Sequence, residues 1–213
     1  MISRIPITDL SPAVNFGGEL VPVKAVAGEV IAVTATIFRE GHDALGAHTL
    51  LFDDKGKEIA RTPMREIWRG GDRFEGTITI PARGEFKYAI EAFDDPFATW
   101  EHDSEIKIAA DIDVELCCTI GKLIFEEKLN EDPSVKKLLS PAIKALTDTS
   151  LAPANRFSQA TTTEIRAYFA ANPLRRLISR SELIPVRADR DRALVGAWYE
   201  FFPRSEGAVK NAD

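Results

Sequence analysis

The sequence predicts a mainly β protein with an added α part: an immunoglobulin-like antiparallel β-sandwich, then an attached small helical bundle, then one further strand. Three observations support this fold class. Apolar residues fall on alternate positions from about residue 20 to 110, and they recur at helical spacing from about 111 to 185. A strand that is apolar on both faces follows near the end, over 197–202.

The sandwich is predicted over 1–110. Two segments show the alternation best, with every second position apolar: Ile31, Val33, Ala35 and Ile37 in the first, and Phe86, Tyr88, Ile90 and Ala92 in the second. Turns rich in glycine, aspartate and proline separate such segments, at 27–29, 53–56, 70–72 and 81–84. Six or seven short strands with this spacing are typical of a two-sheet sandwich.

The helical bundle is predicted over 111–185. A first helix has an apolar face of Leu116, Ile120, Leu123 and Ile124, and a second has one of Val135, Leu138, Leu139, Ala142 and Leu146. Within the second helix, Pro141 is expected to kink or split it. Four or five such helices with short links make a small bundle.

Local signals predict where the helices begin and end. Asp132 followed by Pro133 is a cap with proline in the first turn, and Thr161 with Glu164 has the spacing of a capping box. Pro173, which follows Asn172, is expected to end the helix that this capping box begins. It is also expected to start another helix, through Leu174, Leu177 and Ile178.

The last region, 186–213, is predicted to be a charged connector followed by the apolar strand 197–202. A strand of this kind belongs inside a covered parallel sheet, and no partner strands for such a sheet follow it. We therefore expect the chain to be the front part of a larger protein.

Composition and charge narrow the possible partners. The formal net charge is -6, and lysines and arginines are dispersed, so nucleic-acid binding is not expected. No apolar run approaches the roughly 20 residues of a membrane span. The two cysteines, Cys117 and Cys118, are neighbours that we expect to be small apolar helix residues in a reducing, cytoplasmic setting. They are too few for a metal site, and we predict no cofactor.

Four stretches carry a resemblance to a known family: IPI at 5–7, FREGHD at 38–43, DPFATWEH at 95–102 and, above all, GAWYEFFPRS at 196–205. In these stretches the chain resembles the amino-terminal region of bacterial maltose-1-phosphate-dependent α-glucan maltosyltransferases of the α-amylase clan. The resemblance runs nearly end to end.

The resemblance implies the function of the parent protein. Such an enzyme moves a maltosyl unit from α-maltose 1-phosphate to an α-1,4-glucan, releases phosphate and retains the anomeric configuration. Strand 197–202 would be the first strand of a truncated (β/α)₈ barrel, and later barrel strands would carry the catalytic carboxylates. The resemblance thus implies no catalytic residue here, an inactive fragment, and a homodimer through the sandwich and the helical bundle.

The carboxylates that are present offer no catalytic residue by spacing, and one of them, Glu200, is a weak candidate for substrate binding. Three adjacent pairs occur, but neighbours in a strand or helix point apart, so none is a convergent pair by spacing: Asp53 with Asp54, Asp94 with Asp95, and Glu126 with Glu127. Glu200 stands among aromatic residues in a strand whose end would face the barrel mouth, where barrel enzymes place their sites. A buried structural carboxylate is the competing interpretation.

Aromatic residues give the alternative function, a carbohydrate-binding module of an amylase-clan glycoside hydrolase. Trp68 and Trp100 are the candidates for stacking sugar rings, and the alternative for each is a place in the core. Likewise Phe157, Tyr168 and Phe169 could form a dimer contact or pack within the bundle. Of the histidines, His48 suggests no role, whereas His42 and His102 are expected at a loop and at a corner between strands.

Overall fold

The protein combines β-strands in three sheets with α-helices, in a computed structural model that describes residues 4–68, 70–195, 200 and 207. The strands are β1 (Ile7–Ser11), β2 (Val14–Phe16), β3 (Glu19–Val21), β4 (Val23–Val26), β5 (Val30–Ile37), β6 (Leu45–Phe52), β7 (Glu58–Pro63), β8 (Arg65–Trp68), β9 (Arg73–Thr79), β10 (Gly84–Asp94), β11 (Arg176–Arg180) and β12 (Ile184–Asp189). The helices are α1 (Pro96–Ala109), α2 (Val114–Glu131), α3 (Lys136–Thr147), α4 (Pro153–Ala160) and α5 (Thr163–Ala171). A mixed β and α fold is therefore confirmed.

Strand β10 organises the larger sheet, which has the order β4-β12-β10-β6-β7. One edge of β10 pairs with β6, and the other pairs first with β12 and then with β11. These pairs are antiparallel, whereas β12 runs parallel to β4. The smaller sheet is antiparallel with the order β1-β5-β9-β8, and β2 and β3 form a separate hairpin.

The two larger sheets face each other across one apolar core. Alternate side chains of β5, β9, β10 and β12 enter this core, and the sequence predicts this pattern for β5 and β10. Its buried members include Val33, Ala35 and Ile37 from β5, Phe74 and Ile78 from β9, Tyr88, Ile90 and Ala92 from β10, and Ile184, Val186 and Ala188 from β12. Burial of these apolar side chains in a shared core holds the two sheets together.

The helices pack around a second core and are inserted between two strands of the same sheet. The chain leaves the sheet at the end of β10, forms α1 to α5 and returns as β11. Aromatic rings dominate the helical core, which includes Phe97, Trp100, Phe125, Phe157 and Phe169. The bundle thus has its own apolar interior beside that of the sheets.

Several helix signals are confirmed and others require correction. The Asp132 carboxylate accepts a hydrogen bond from the Ser134 backbone N–H, as a cap does. The cap of α5 is Thr162 rather than Thr161, since the Thr162 hydroxyl accepts from the Ile165 N–H. Helix α3 continues through Pro141 and is not split.

The prediction was wrong on both sides of the bundle. The first helix begins at Pro96, so His102 lies within α1 and not at a corner between strands. The helix predicted through Leu177 and Ile178 is strand β11, and the predicted connector begins with strand β12. The apolar strand predicted over 197–202 lies outside the described residues, apart from Glu200.

Candidate functional site

The adjacent carboxylates have structural roles in the described part of the chain. Asp53 accepts hydrogen bonds from the backbone N–H groups of Lys55 and Lys57 and so closes a turn. Asp95 caps α1 by accepting from the N–H groups of Phe97 and Ala98. The first of these carboxylates therefore stabilises a turn, and the second stabilises the start of a helix.

Asp94, Glu126 and Glu127 form ion pairs. Asp94 accepts from the Arg39 guanidinium at 2.7 Å, and Glu127 pairs with Arg176 on β11. Burial raises the pKa of Asp94, and the charge of Arg39 partly offsets this. Asp94 and Glu127 are thus tied to different cations and do not form a convergent pair.

Trp100 belongs to the core of the helical bundle. Its side chain is only 4% exposed, and the indole N–H donates to the backbone carbonyl oxygen of Cys117 at 2.7 Å. Gly121 on α2 lies directly against the ring, because a Cβ built there would be 2.5 Å from Cε2. Since the ring is enclosed, Trp100 cannot stack on a sugar from solvent.

Trp68 has the opposite environment, with 73% of its surface exposed at the end of the edge strand β8. Its backbone carbonyl accepts from the Gly71 N–H at 2.9 Å, and the Glu66 carboxylate accepts from the Gly70 N–H at 2.8 Å. Of the two tryptophan candidates, Trp68 alone is available to a ligand.

Three partly exposed arginines surround the buried carboxylate of Glu91. Glu91, on β10, is 2% exposed and accepts from three arginines. The guanidinium of Arg175 lies 2.7 Å and that of Arg180 2.8 Å from its carboxylate oxygens, and Arg61 on β7 is the third partner. We call these four residues the Glu91 cluster. It ties β7 and β10 to the segment that returns from the helices.

The charges of the cluster also set two pKa values. Burial alone would raise the pKa of Glu91, but hydrogen bonds from Arg61 and Arg180 outweigh it and lower the pKa to about 2. Burial and the positive charges of Arg61 and Arg175 lower the pKa of His48 to about 4. The ring of His48 also packs beside Phe93. The sequence suggested no role for His48, and the structure places it within this charged region.

An exposed apolar surface lies on α2. Leu116, Ile120 and Leu123, which we call the apolar α2 face, are between 41% and 57% exposed. They line a cavity of about 360 Å³ together with Trp100, Asp94 and other residues of α1 and β11. These three residues and Ile124 form the apolar face that the sequence predicts for this helix, but only Ile124 of the four is buried. The buried side of α2 also carries Cys117, Cys118, Gly121 and Phe125.

Other predicted residues take ordinary structural places. Phe169 is buried in the helical core with Phe157 and Tyr168 packed beside it, so the bundle accounts for all three. Cys117 and Cys118 are free thiols buried on α2, as the sequence predicts. Glu200 is exposed and lies outside any described helix or strand, and not in a buried structural position.

Neither a metal centre nor a membrane segment emerges where the structure describes the chain. No three or more histidine, cysteine, aspartate or glutamate side chains are grouped there to hold an ion. None of the described helices is both long enough and apolar enough to cross a membrane.

Comparison with known proteins identifies the family. A family model described as "Alpha-1,4-glucan:maltose-1-phosphate maltosyltransferase, domain N/S" matches residues 3–190. Streptomyces coelicolor has two similar proteins, which are named alpha-1,4-glucan:maltose-1-phosphate maltosyltransferase 2 and 1. The chain is 45% identical to the first over 208 residues and 43% identical to the second over 209 residues. It is 40% identical over 215 residues to the enzyme of that name from Arcanobacterium haemolyticum.

These alignments cover 97% to 100% of this chain but only 31% of each relative. The chain therefore spans about a third of the length of the curated relatives that it matches. Because the family model covers most of the chain and includes both the sheets and the helices, the chain belongs to the alpha-1,4-glucan:maltose-1-phosphate maltosyltransferase family, which it matches in domain N/S.

Proposed function

We propose that the chain is the amino-terminal, non-catalytic assembly region of a maltosyltransferase. The whole enzyme would extend α-1,4-glucans from maltose 1-phosphate, release phosphate and retain the anomeric configuration. The names of the relatives support this substrate pair. Retention requires a carboxylate nucleophile and an acid/base about 5 Å apart. Five carboxylates of the adjacent pairs have structural partners instead: Asp53, Asp94, Asp95, Glu126 and Glu127.

We also propose a division of labour within the chain. Residues 7–94 and 176–189 would form an immunoglobulin-like sandwich, 96–171 the inserted bundle, and 197–202 the first strand of a catalytic (β/α)₈ barrel. The shared core of the two sheets supports the sandwich. A crystal structure of a longer protein that contains the barrel would test this assignment.

The apolar α2 face is the observation that carries the assembly role. Three large aliphatic side chains are exposed together, where a monomer normally exposes them singly. Charged side chains surround them, since Lys107, Arg176 and Asp103 line the same cavity. An apolar centre with a polar rim is typical of a protein interface. The proposed occupant is the same region of a second copy.

The mass of the 213-residue chain in solution tests this role. Light scattering after size-exclusion chromatography should give a dimer, and Leu116→Asp with Leu123→Asp should give a monomer with an unchanged circular dichroism spectrum. Two buried charges in an apolar contact would cost several kcal/mol, enough to separate the copies. The matched control is Phe16→Asp, a charge at a 79% exposed aromatic residue of the hairpin.

Two results would count against the proposal. A monomeric wild-type chain at high concentration would overturn the dimer, and a dimer that survives the α2 substitutions but dissociates in Phe16→Asp would place the interface on another face. In parallel, the chain mixed with maltose 1-phosphate and maltohexaose should release no phosphate. Measurable phosphate release would contradict the non-catalytic assignment.

A further inference from the structure

We propose that the apolar α2 face binds the same face of a second copy with the two α2 helices antiparallel, and that charges at the ends of this face fix the orientation. The inference rests on the proposed function, because it describes how two copies meet at that surface. It adds the direction of the helices and four charged residues that pair between the copies.

The exposed side of α2 has the spacing of a helix that packs against another helix. Leu116, Ile120, Leu123 and Glu127 follow one another at intervals of four, three and four residues. Residues at this spacing lie along one side of a helix, and apolar residues repeated in this way are typical of helix–helix contacts. The described part of the chain leaves about half of each of the three apolar side chains uncovered.

Each end of this side carries one positive and one negative side chain. At the amino end, Nζ of Lys107 on α1 lies 3.8 Å from the carboxylate of Asp113, which immediately precedes α2. At the carboxyl end, Glu127 pairs with Arg176 of β11. Asp113 and Glu127 are about 21 Å apart along the helix axis. All four side chains are about half exposed and therefore remain open to a partner.

Charge complementarity favours the antiparallel arrangement. The amino end of one helix then meets the carboxyl end of the other, so that Lys107 can bind Glu127 of the second copy. Arg176 of the second copy can likewise bind Asp113. In a parallel pair identical ends would meet, and like charges would face each other. The partial charges of the helix ends favour the antiparallel pair as well, since the positive amino end then lies beside the negative carboxyl end.

A second copy fits this surface better than a small apolar ligand does. The aliphatic side chains from Leu116 to Leu123 extend over about 10 Å of the helix, with an ion pair beyond each end. A two-fold interface must be complementary to itself. This surface meets that condition, because a two-fold axis through Ile120 sets each charged end opposite the other end of the second copy.

The experiment measures the dissociation constant of the dimer of the 213-residue chain by sedimentation equilibrium. Lys107→Glu and Glu127→Lys should each weaken the dimer by about tenfold, because each substitution acts at both ends of a two-fold interface. The double variant breaks both ion pairs within each copy. In an antiparallel dimer, however, it sets two negative charges opposite two positive charges at each end, so it should dimerise at least as tightly as the wild-type chain.

The matched control is Lys137→Glu, the same change of charge at an exposed lysine of α3, which should leave the dissociation constant unchanged. A double variant that dimerises more weakly than both single variants would overturn the antiparallel arrangement, because a parallel dimer would then bring like charges together at both ends. A wild-type dimer that the charge variants leave unchanged, but that Leu116→Asp with Leu123→Asp dissociates, would also overturn it and would leave the assembly role standing. A monomeric wild-type chain would overturn both proposals.

Discussion

Gly121 should be a position at which alanine, normally the better helix former, destabilises the protein. Gly121 lies on the buried side of α2 against the ring of Trp100. A methyl group there would lie 2.5 Å from Cε2 and 2.9 Å from Nε1, and closer still to Cζ2. Phe97 and Phe125 pack against Trp100 within the core, so the indole could move only toward the cavity that it lines beside the apolar α2 face.

The expected loss follows from three contributions. Overpacking of a filled core costs about 1–3 kcal/mol. Displacement of the indole also weakens its hydrogen bond to the Cys117 carbonyl, which contributes about 0.5–1.5 kcal/mol. Alanine recovers about 1 kcal/mol through its higher helix propensity. We therefore expect Gly121→Ala to lower the free energy of unfolding by about 2 kcal/mol.

Urea unfolding followed by far-ultraviolet circular dichroism measures this loss. With a denaturant slope of about 2 kcal/mol per molar urea, the midpoint should fall by about 1 M. Thr119→Ala, on the exposed side of the same helix, is the control and should change stability by less than about 0.5 kcal/mol. In a Trp100→Phe background, which lacks the ring atoms that the methyl group would meet, the loss from Gly121→Ala should be smaller. A neutral or stabilising effect of Gly121→Ala in the unaltered chain would refute this reasoning.

Two further predictions concern the Glu91 cluster. Glu91→Gln should lower the free energy of unfolding by about 1.5–3 kcal/mol, because it removes the charge of a buried carboxylate that accepts from three partly exposed guanidinium groups. Glu126→Gln, at an exposed ion pair, is the control, and similar small losses in both would contradict the prediction. The free energy of unfolding should also fall as the pH drops from 6.5 toward 4, by about 3 kcal/mol in all. In this range His48 is protonated in the unfolded chain, whereas in the folded chain its pKa of about 4 keeps it neutral. Chemical denaturation at pH 6.5 and pH 5 should show this decrease, and His48→Asn should reduce it; an equal slope in that variant would assign the effect to other groups.

Strand alternation and turn chemistry predict much of the sheet part. Val33, Ala35 and Ile37 of β5 and Tyr88, Ile90 and Ala92 of β10 are buried where the pattern places them, although β10 also buries its other face over 89–93. Glycines at the predicted turns, such as Gly28 and Gly56, have positive φ. These are local signals, since a strand that covers a core must alternate whatever its partners are.

Strand β12 shows where local signals mislead. Ile184, Val186 and Ala188 alternate as a half-buried strand does, but the charged residues Arg187 and Asp189 between them made the segment look like a connector. Its parallel partner β4 lies about 160 residues earlier in the chain, and no local pattern could identify that pairing. The start of α1 could have been predicted, because Asp95 followed by Pro96 is the same helix-start signal as Asp132 followed by Pro133.

The candidate sites were harder to predict for a related reason. Helix α2 is apolar around much of its circumference, so periodicity alone cannot tell that Phe125 is buried while Leu123 is exposed. Glu91 looks like the solvent-facing member of an alternating strand. Its arginine partners are 30, 84 and 89 residues away in the sequence, and their convergence is a property of the tertiary fold.

The position of β12 has a consequence for synthesis on the ribosome. In the sheet, β12 lies between β4 and β10. After β4 and β10 have left the ribosomal exit tunnel, the position between them stays empty until residues 184–189 emerge. The helices of the insertion depend on local contacts and can form while the nascent sheet still lacks β12. A stalled product that ends before residue 184 would expose two unpaired strand edges, which are templates for aggregation. Among the described strands of this sheet, the one translated last therefore completes its middle.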